Sequence, residues 1–186
     1  MAVTAAQAWA VFKRADCLYR QDEIEAALTG LAATITQTLK DRDPLIICVL
    51  NGGLVPLGHL LPQLHFPLQT DYIHASRYGD RLVGGELAWN AGPATSPRGR
   101  TVLLVDDILD EGTTLASLED WLRRQGAAAV YKAVLVVKRK TKVPITTADF
   151  IALEVPDRYV FGYGMDYEGY LRNLPGIYAA AEADQG

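Results

Sequence analysis

The sequence has 186 residues, of which 49% are hydrophobic, and its formal net charge is -4 at pH 7. This length and apolar content suffice for one globular domain with a substantial core, but not for a second domain of full size. The acidic balance gives no basic face of the extent that nonspecific nucleic-acid binding needs. The composition therefore favours one domain that acts on small molecules.

The cysteine residues and the first residues of the chain indicate in which cellular compartment the protein is expected. Cys17 and Cys48 lack C-x-x-C spacing, so neither a disulfide framework nor a zinc site is indicated. Residues 1–16 show no basic region followed by a long apolar segment, and no stretch approaches a membrane span. We therefore expect a cytoplasmic protein with reduced thiols.

The first part of the chain predicts two helices and a brief strand. Residues 3–14 predict a short helix and residues 17–19 a strand. A clearer helix begins at Asp22, because Glu25 stands three residues later, as in a capping box. Its apolar side follows the helical period and consists of Ile24, Leu28, Leu31, Ile35 and Leu39.

A glycine turn follows the next strand. The apolar run Leu45–Leu50 predicts that strand, and it leads through Asn51, Gly52 and Gly53 into an apolar helix over residues 55–64. The backbone N–H groups of such a turn suit an anion, although paired glycines alone more often mark a tight bend.

A long polar stretch follows the strand predicted at Gln69–Ala75. It covers residues 76–99 and begins with Ser76, Arg77 and Tyr78. A connection of this length inside a compact domain is usually either disordered or a lid over a site.

Residues 101–122, TVLLVDDILDEGTTLASLEDWL, hold the strongest motif. The apolar run over residues 102–105 predicts a strand buried on both faces of a parallel sheet. Asp106 and Asp107 follow it, and a turn over residues 110–114 then opens a helix with the apolar side Leu115, Leu118, Trp121 and Leu122. The order is strand, acidic pair, glycine-threonine turn and helix.

This order predicts a sugar-phosphate site. A helix start offers unpaired N–H groups and a partial positive charge, which suit a phosphate monoester. Gly112 lets the backbone approach the phosphate, and Thr113 and Thr114 can donate hydroxyl hydrogen bonds. The acidic pair can accept hydrogen bonds from ribose hydroxyls. The lysine of a P-loop is missing, which argues against nucleoside triphosphate hydrolysis.

The same stretch closely resembles the phosphoribosyl pyrophosphate signature of the type I phosphoribosyltransferases. The resemblance implies that fold and that donor, and it favours the glycine turn of Asn51, Gly52 and Gly53 as the pyrophosphate site. It also favours a lid at residues 76–99, because these enzymes close a mobile loop near a serine-tyrosine pair. Here Arg77 separates Ser76 from Tyr78, so the sequence does not decide which of these lid residues contacts pyrophosphate. The phosphoribosyl group is expected to contact Asp106, Asp107, Glu111, Gly112, Thr113 and Thr114.

The rest of the chain predicts strands over residues 130–137, 150–155 and 158–164. The tail, VPDRYVFGYGMDYEGYLRNLPGIY, resembles the carboxyl-terminal segment of the hypoxanthine-guanine branch of the family, which narrows the acceptor to a 6-oxopurine. The resemblance implies that Tyr159 stacks on the purine ring. By residue type, Val160 can offer backbone groups to the edge of the base, and Lys138 can donate to its 6-oxo group.

Five acidic and basic side chains complete the predicted site. Asp106, Asp107 and Asp166 are expected to provide oxygen ligands for Mg²⁺, and Arg172 a fork for pyrophosphate. Asp110 is expected to act as the general base that takes a proton from the purine as N9 attacks. We interpret Met165 and the three histidines, His59, His65 and His74, as structural residues.

We expect one α/β domain over residues 1–186, with a mostly parallel five-stranded Rossmann-like sheet and helices on both faces. A small hood is predicted from about residues 1–20 and 150–186, and a mobile loop from about 76–99. The expected substrates are phosphoribosyl pyrophosphate and a purine base, with no nucleic-acid or membrane partner, in a homo-oligomer (dimer or tetramer).

The predicted reaction belongs to purine salvage and transfers the 5-phosphoribosyl group to N9 of hypoxanthine or guanine. Two alternatives remain open. One is a regulatory protein of the same fold that binds RNA, which the acidic charge disfavours. The other is the xanthine-guanine branch, which the tail disfavours.

Overall fold

The computed structural model describes residues 3–75, 89–140 and 143–184. The strands in these ranges are β1 (Asp16–Tyr19), β2 (Leu45–Leu50), β3 (Gln69–Ala75), β4 (Trp89–Ala91), β5 (Thr101–Leu109), β6 (Ala129–Arg139), β7 (Phe150–Pro156), β8 (Val160–Phe161) and β9 (Ile177–Ala179). The helices there are α1 (Ala5–Phe12), α2 (Gln21–Leu39), α3 (Leu54–Leu60) and α4 (Thr113–Arg124), with short 3-10 turns at Leu61–Gln63 and Glu182–Asp184. None of these helices combines the length and the apolar character that a bilayer crossing requires.

The main sheet has the strand order β4-β3-β2-β5-β6-β7. β2, β3, β5, β6 and β7 run parallel, and β4 pairs antiparallel with β3 at one edge. The predicted α/β class and the mostly parallel five-stranded sheet are confirmed. The additional strand β4 is not predicted, because it lies inside the polar stretch 76–99 and is only three residues long.

Side chains of β2 alternate between two halves of the core. Ile46 and Cys48 pack in a cluster with α2 and α3, whereas Leu45, Ile47 and Val49 pack in a second cluster with α4. Successive strand residues point to opposite faces, so an unbroken apolar run can serve both halves. Helices therefore cover both faces of the sheet, as predicted, while the site residues collect at the carboxyl ends of the strands.

Two predicted helix boundaries need correction. The helix α2 begins at Gln21, because the Glu23 carboxylate accepts the backbone N–H of Arg20 at 2.9 Å. The capping interaction thus lies two residues before the one predicted at Asp22. The helix predicted over residues 55–64 ends as an α-helix at Leu60. Pro62 follows in a 3-10 turn, because proline has no N–H for the next α-helical hydrogen bond.

A second, antiparallel sheet has the order β1-β9-β8 and joins segments from early and late in the chain. Arg158 ties these segments together, with Nη2 2.8 Å from an Asp16 carboxylate oxygen and 2.8 Å from the Ala180 carbonyl. The strands of this sheet lie within the two segments predicted to form the hood, about 1–20 and 150–186, whereas β7 of the later segment belongs to the main sheet. The strand predicted over residues 158–164 is only β8, because positive φ angles end it at Gly162, Tyr163 and Gly164.

Candidate active site

A cleft of about 640 Å³ lies at the carboxyl ends of β2, β3 and β5. Parallel strands end at the same edge of the sheet, so motifs that are distant in sequence meet there. Most residues predicted to bind the phosphoribosyl and pyrophosphate groups, or a metal, line this cleft, as does the predicted base Asp110: Asn51, Gly52, Asp106, Asp107, Glu111, Gly112, Thr114, Asp166 and Arg172. Gly53 and Thr113 do not line it.

The glycine-threonine turn forms the N-terminus of α4. Gly112 is the N-cap residue, with a φ of 81°, and its carbonyl accepts the Ala116 N–H at 2.9 Å. A Cβ at position 112 would lie 3.1 Å from Thr146 and 3.2 Å from Leu109. The left-handed backbone and the packing inside the protein therefore both require glycine here. These reasons add to the predicted one, that glycine lets the backbone approach a phosphate.

A buried network supports this turn from behind. The Ile145 N–H donates to the Glu111 carbonyl at 3.0 Å, which fixes the segment that packs on Gly112. Lys132, which is 7% exposed, is ion-paired with Glu119 of α4 and donates to the Thr146 hydroxyl at 3.1 Å. The network joins β6, α4 and the segment that contacts the turn. Sequence reasoning missed it, because a single lysine inside a β-run carries no signal of its partner.

The acidic pair at the end of β5 is buried, with Asp106 8% and Asp107 9% exposed. The Asp107 N–H donates to Oδ1 of Asp106 at 2.9 Å. Burial raises the pKa of Asp106 well above its usual range, and the charge of Asp107 adds to the shift. Burial also raises the pKa of Asp107, although Asp106 and Arg172 partly oppose it. The pair is thus poised to receive hydroxyl donors or a cation.

The loop after β2 packs tightly against β5. A Cβ at Gly52 would overlap the Asp107 carboxylate, and one at Gly53 would lie 2.5 Å from the Val105 carbonyl. The peptide bond between Leu50 and Asn51 is cis. Both glycines are therefore required by close approach to neighbouring protein groups. Asn51 and Gly52 face the cleft, as expected for anion contacts, while Gly53 serves the packing.

Arg172 joins two of the predicted metal ligands. Its guanidinium donates to the Gly164 carbonyl at 2.7 Å and lies 2.7 Å from Asp166 and 3.8 Å from Asp107. Arg172 lines the cleft as predicted, but its donors are engaged with protein acceptors. A pyrophosphate group at this place would have to share or replace them.

The three carboxylates of Asp106, Asp107 and Asp166 do not form a metal cage by themselves. Within residues 3–75, 89–140 and 143–184, no group of three or more acidic, histidine or cysteine side chains is arranged to hold an ion. Magnesium usually keeps waters and binds through one or two carboxylates together with substrate phosphates. The burial of Asp106 and Asp107, which raises the pKa of both, fits an ion of that kind, to which substrate oxygens would also bind.

A second cavity of about 260 Å³ adjoins the cleft. Its lining contains the three predicted purine-binding residues, Lys138, Tyr159 and Val160. Lys138 comes from the end of β6, and Val160 from β8, where it pairs with Ala179. The Tyr159 ring packs edge-on against Tyr167, with centroids 5.2 Å apart. This cavity, which we call the purine-side pocket, therefore lies between the main sheet and the second sheet.

Asp110 lies where the two cavities meet. Asp107, Ile108, Asp110 and Asp166 line both of them. The Asp110 carboxylate lies 3.0 Å from Lys138 Nζ and also pairs with Lys140. Burial acts to raise its pKa, but hydrogen bonds and charges from Lys140 and Lys138 outweigh burial, so the pKa is lowered. The carboxylate is therefore ionised near neutral pH.

Several lining residues were not predicted. His74 at the end of β3 lines the cleft, and Met165 lines the purine-side pocket, although both were interpreted as structural. The strand order of a parallel sheet would have predicted that His74, at the end of β3, lies beside β2. Lys140 lines neither cavity but pairs with Asp110, and the sequence predicts no role for it. The predicted lid residues Ser76, Arg77 and Tyr78 lie outside the described residues.

A family model for the phosphoribosyl transferase domain matches residues 15–168. The hypoxanthine-guanine-xanthine phosphoribosyltransferase of Tritrichomonas foetus is 37% identical over 164 residues, which cover 86% of this chain and 88% of that protein. The hypoxanthine-guanine phosphoribosyltransferase of Bacillus subtilis (strain 168) is 35% identical over 161 residues, covering 86% and 89%. The chain therefore belongs to the phosphoribosyl transferase domain family.

Solved structures agree with this assignment. A hypoxanthine phosphoribosyltransferase from Staphylococcus aureus superposes with a TM-score of 0.84 at 25% identity, covering 92% of this chain and 94% of that one. A hypoxanthine-guanine-xanthine phosphoribosyltransferase gives a TM-score of 0.74 at 32% identity, covering 90% and 95%. The resemblance to type I phosphoribosyltransferases, and to their hypoxanthine-guanine branch, is confirmed.

Proposed function

We propose that this protein transfers the 5-phosphoribosyl group of phosphoribosyl pyrophosphate to N9 of hypoxanthine or guanine, giving the nucleoside 5'-monophosphate and pyrophosphate. The observation that carries this proposal is the pair of adjoining cavities that meet at Asp110. One is lined by an acidic pair and a helix start, and the other by Tyr159 and Lys138. A nucleotide divides in the same way, into a sugar phosphate and a base.

The donor side is assigned by its chemistry. The amides and hydroxyls at the start of α4 suit the 5'-phosphate, with Gly112 and Thr114 in the cleft wall. Asp106 and Asp107 accept hydrogen bonds from the ribose hydroxyls. Asn51, Gly52 and Arg172 lie across the cleft and suit the pyrophosphate leaving group. These contacts hold the sugar so that its anomeric carbon faces the purine-side pocket.

The acceptor side holds the purine against Asp110. Tyr159 provides an aromatic face, Val160 an edge of backbone, and Lys138 a donor for the 6-oxo group. Substitution at the anomeric carbon passes through a transition state with oxocarbenium character, as in glycoside cleavage. Asp110 takes the proton that the purine ring loses as N9 attacks, and its negative charge lies beside the cationic sugar.

Magnesium fits the carboxylates at the end of β5. Asp106, Asp107 and Asp166 would hold it, directly or through water, in company with the ribose and pyrophosphate oxygens. When bound, the ion would supply positive charge for the departing pyrophosphate.

A base-specificity assay tests the proposal. The protein is incubated with phosphoribosyl pyrophosphate, Mg²⁺ and one base at a time, and pyrophosphate release is followed. Hypoxanthine and guanine should support turnover, and adenine and uracil should not. Xanthine belongs in the panel because the Tritrichomonas relative carries xanthine in its name. No release with any 6-oxopurine would contradict the proposal. The relatives do not favour the RNA-binding alternative.

Assembly and location belong to the same proposal. We place the protein in the cytoplasm as a homo-oligomer. In the hypoxanthine phosphoribosyl transferase of Trypanosoma cruzi, the C-terminal region has a role in the oligomeric state, which supports an oligomer for this protein. Sedimentation velocity would distinguish a dimer or tetramer from a monomer. The single domain over residues 1–186, the hood at about 1–20 and 150–186, and the lid at about 76–99 are retained as proposals.

A further inference from the structure

Two lysines from the end of β6 hold the same carboxylate. Lys138 Nζ lies 3.0 Å from Oδ2 of Asp110, and Lys140 Nζ pairs with Oδ1. Side chains two residues apart point to the same face of a strand, whereas the one between points away. Arg139 accordingly pairs with Glu154 of β7. Each oxygen of Asp110 thus has its own cation.

The two lysines differ in their relation to the purine-side pocket. Lys138 lines that pocket together with Asp110, and Lys140 does not. A base whose 6-oxo group binds Lys138 would draw that ammonium away from Oδ2. Lys140 is not needed by the base and would remain on Oδ1. Binding of the purine would therefore release one oxygen of the carboxylate and leave the other held.

We infer that Lys140 is a positioning residue for the transfer reaction, which holds Oδ1 of Asp110 and keeps the carboxylate charged until Oδ2 accepts the purine proton. The inference rests on the proposed function. It assigns a role to a side chain that contacts neither the base nor the sugar, and it explains why Asp110 stays anchored when Lys138 changes partner.

Negative groups surround Asp110, so a second cation is needed to keep its carboxylate charged. The pocket brings several negative groups near it, and a carboxylate among like charges binds a proton more readily. Lys140 Nζ also lies 3.7 Å from an Asp157 carboxylate oxygen, so this lysine pairs with two carboxylates. Hydrogen bonding to Asp110 raises the pKa of Lys140, which keeps it protonated. The charged groups facing Asp110 or its lysines are Lys138, Lys140, Glu111, Asp157, Asp107 and Asp166.

The test compares Lys140→Ala with Lys140→Arg in kcat against pH at saturating donor and base. Loss of the cation should move the acidic limb of Lys140→Ala to higher pH, so that kcat falls about tenfold at a pH on that limb and little near pH 8. The KM for the donor should stay unchanged. Lys140→Arg keeps the charge and should restore the acidic limb.

Arg139→Ala is the matched control. It removes one positive charge at the neighbouring position, from a side chain that pairs with Glu154 on the other face. Its pH profile should superpose on that of the unmodified protein. An equal displacement in Arg139→Ala would show a general charge effect and overturn the inference. An unmoved acidic limb in Lys140→Ala would overturn it as well.

A thermal-unfolding cycle tests the contact without turnover. Contact with Lys140 lowers the pKa of Asp110, so the stabilisation is present above the usual aspartate range and lost as the pH falls through that lowered pKa. At neutral pH, Lys140→Ala should therefore lower Tm in the parent but not in an Asp110→Asn background; equal losses in both would overturn the inference. The unmodified protein could fail to transfer the phosphoribosyl group while Lys140→Ala still lowers Tm only in the parent. That result would overturn the proposed function and the role of Lys140 in catalysis, but not its contact with Asp110.

Discussion

Asp110 shows how surroundings decide the protonation state of a single side chain. Two lysines hold it, and its pKa is lowered in spite of partial burial. Asp106, four residues earlier, is more deeply buried, and burial beside Asp107 raises its pKa against a smaller opposing effect of Arg172. The two aspartates therefore suit different tasks: Asp110 is ionised and can take a proton, and the raised pKa of Asp106 suits a site where a hydroxyl donor or a cation supports its charge.

Replacing Asp110 by asparagine should slow the chemistry without affecting the donor. The amide keeps the shape but cannot take the purine proton, so kcat should fall by about 10² to 10⁴. Stopped-flow or steady-state turnover measures kcat, and titration calorimetry measures donor affinity, which should stay near that of the parent. Asp120→Asn, the same change on the exposed side of α4, is the control. A parental kcat in Asp110→Asn would remove this residue from the base role.

Replacing Asp106 by asparagine should stabilise the ligand-free protein. Folding raises the pKa of the Asp106 carboxyl group. Such a group contributes its full stabilisation below its pKa in the unfolded state, and this contribution is lost as the pH rises through its pKa in the folded state. Asparagine keeps the oxygen that accepts the Asp107 N–H and avoids this loss. The gain should be about 0.5 to 2 kcal/mol near pH 8 and vanish near pH 4.

Urea unfolding at the two pH values measures the gain, and calorimetry should show weaker donor binding in the same variant. A gain that is the same at both pH values would exclude the buried charge as its cause.

At the scale of elements, the strand-turn-helix of β5 and α4 carries the donor site. The helix start depends on a left-handed Gly112, and the segment with Thr146 packs on it, supported by buried Lys132. The turn is therefore held from inside the protein before any ligand arrives, as a preorganised anion site requires.

Replacing Gly112 by valine should weaken donor binding at least about tenfold, because the side chain would meet Thr146 and force the turn to move. Gly99→Val is the control. Gly99 also has a positive φ, 71°, but nothing lies within 4 Å of an added Cβ. Both variants should lose about 1 to 2 kcal/mol of stability from backbone strain. Only Gly112→Val should lose affinity in donor calorimetry, and normal binding would contradict the phosphate assignment.

The sequence predicted elements whose signals are local. The apolar runs of β2 and β5 and the turn at Gly112 follow from period and residue type within a few positions. Pairings between distant positions, such as Lys140 with Asp110 or Lys132 with Glu119, depend on strand order and register and carry no local signal. The hydrogen bond between Glu23 and Arg20 shows that a local signal can also mislead, because Asp22 had the better capping side chain.

At the scale of the whole molecule, the purine-side pocket joins two sheets. Lys138 and Asp110 come from the main sheet and the following turn, whereas Tyr159 and Val160 belong to the second sheet or its approach. A ligand that fills both cavities therefore contacts both sheets.

A purine mononucleotide should protect the second sheet from hydrogen exchange more than pyrophosphate does. Amides of β8 and β9 should exchange more slowly with the nucleotide, because it contacts both sheets, while pyrophosphate contacts only the cleft. Mass-spectrometric exchange of peptides covering Val160–Phe161 and Ile177–Ala179 measures the effect. Peptides from α2, which lies away from both cavities, are the internal control. Equal protection of β8 and β9 by the two ligands would place the base elsewhere.

The pairing of β1 with β9 has a consequence for synthesis on the ribosome. β1 can find its neighbour only after Ile177–Ala179 has left the exit tunnel, whereas β2, β3, β5, β6 and β7 are complete by Pro156. The nascent chain can therefore assemble its sugar-phosphate half early and must wait for its last residues to enclose a nucleobase. A nascent chain exposed as far as Pro156 would therefore present the acidic pair and the turn at Gly112, but would still lack Asp166, Arg172 and the second sheet.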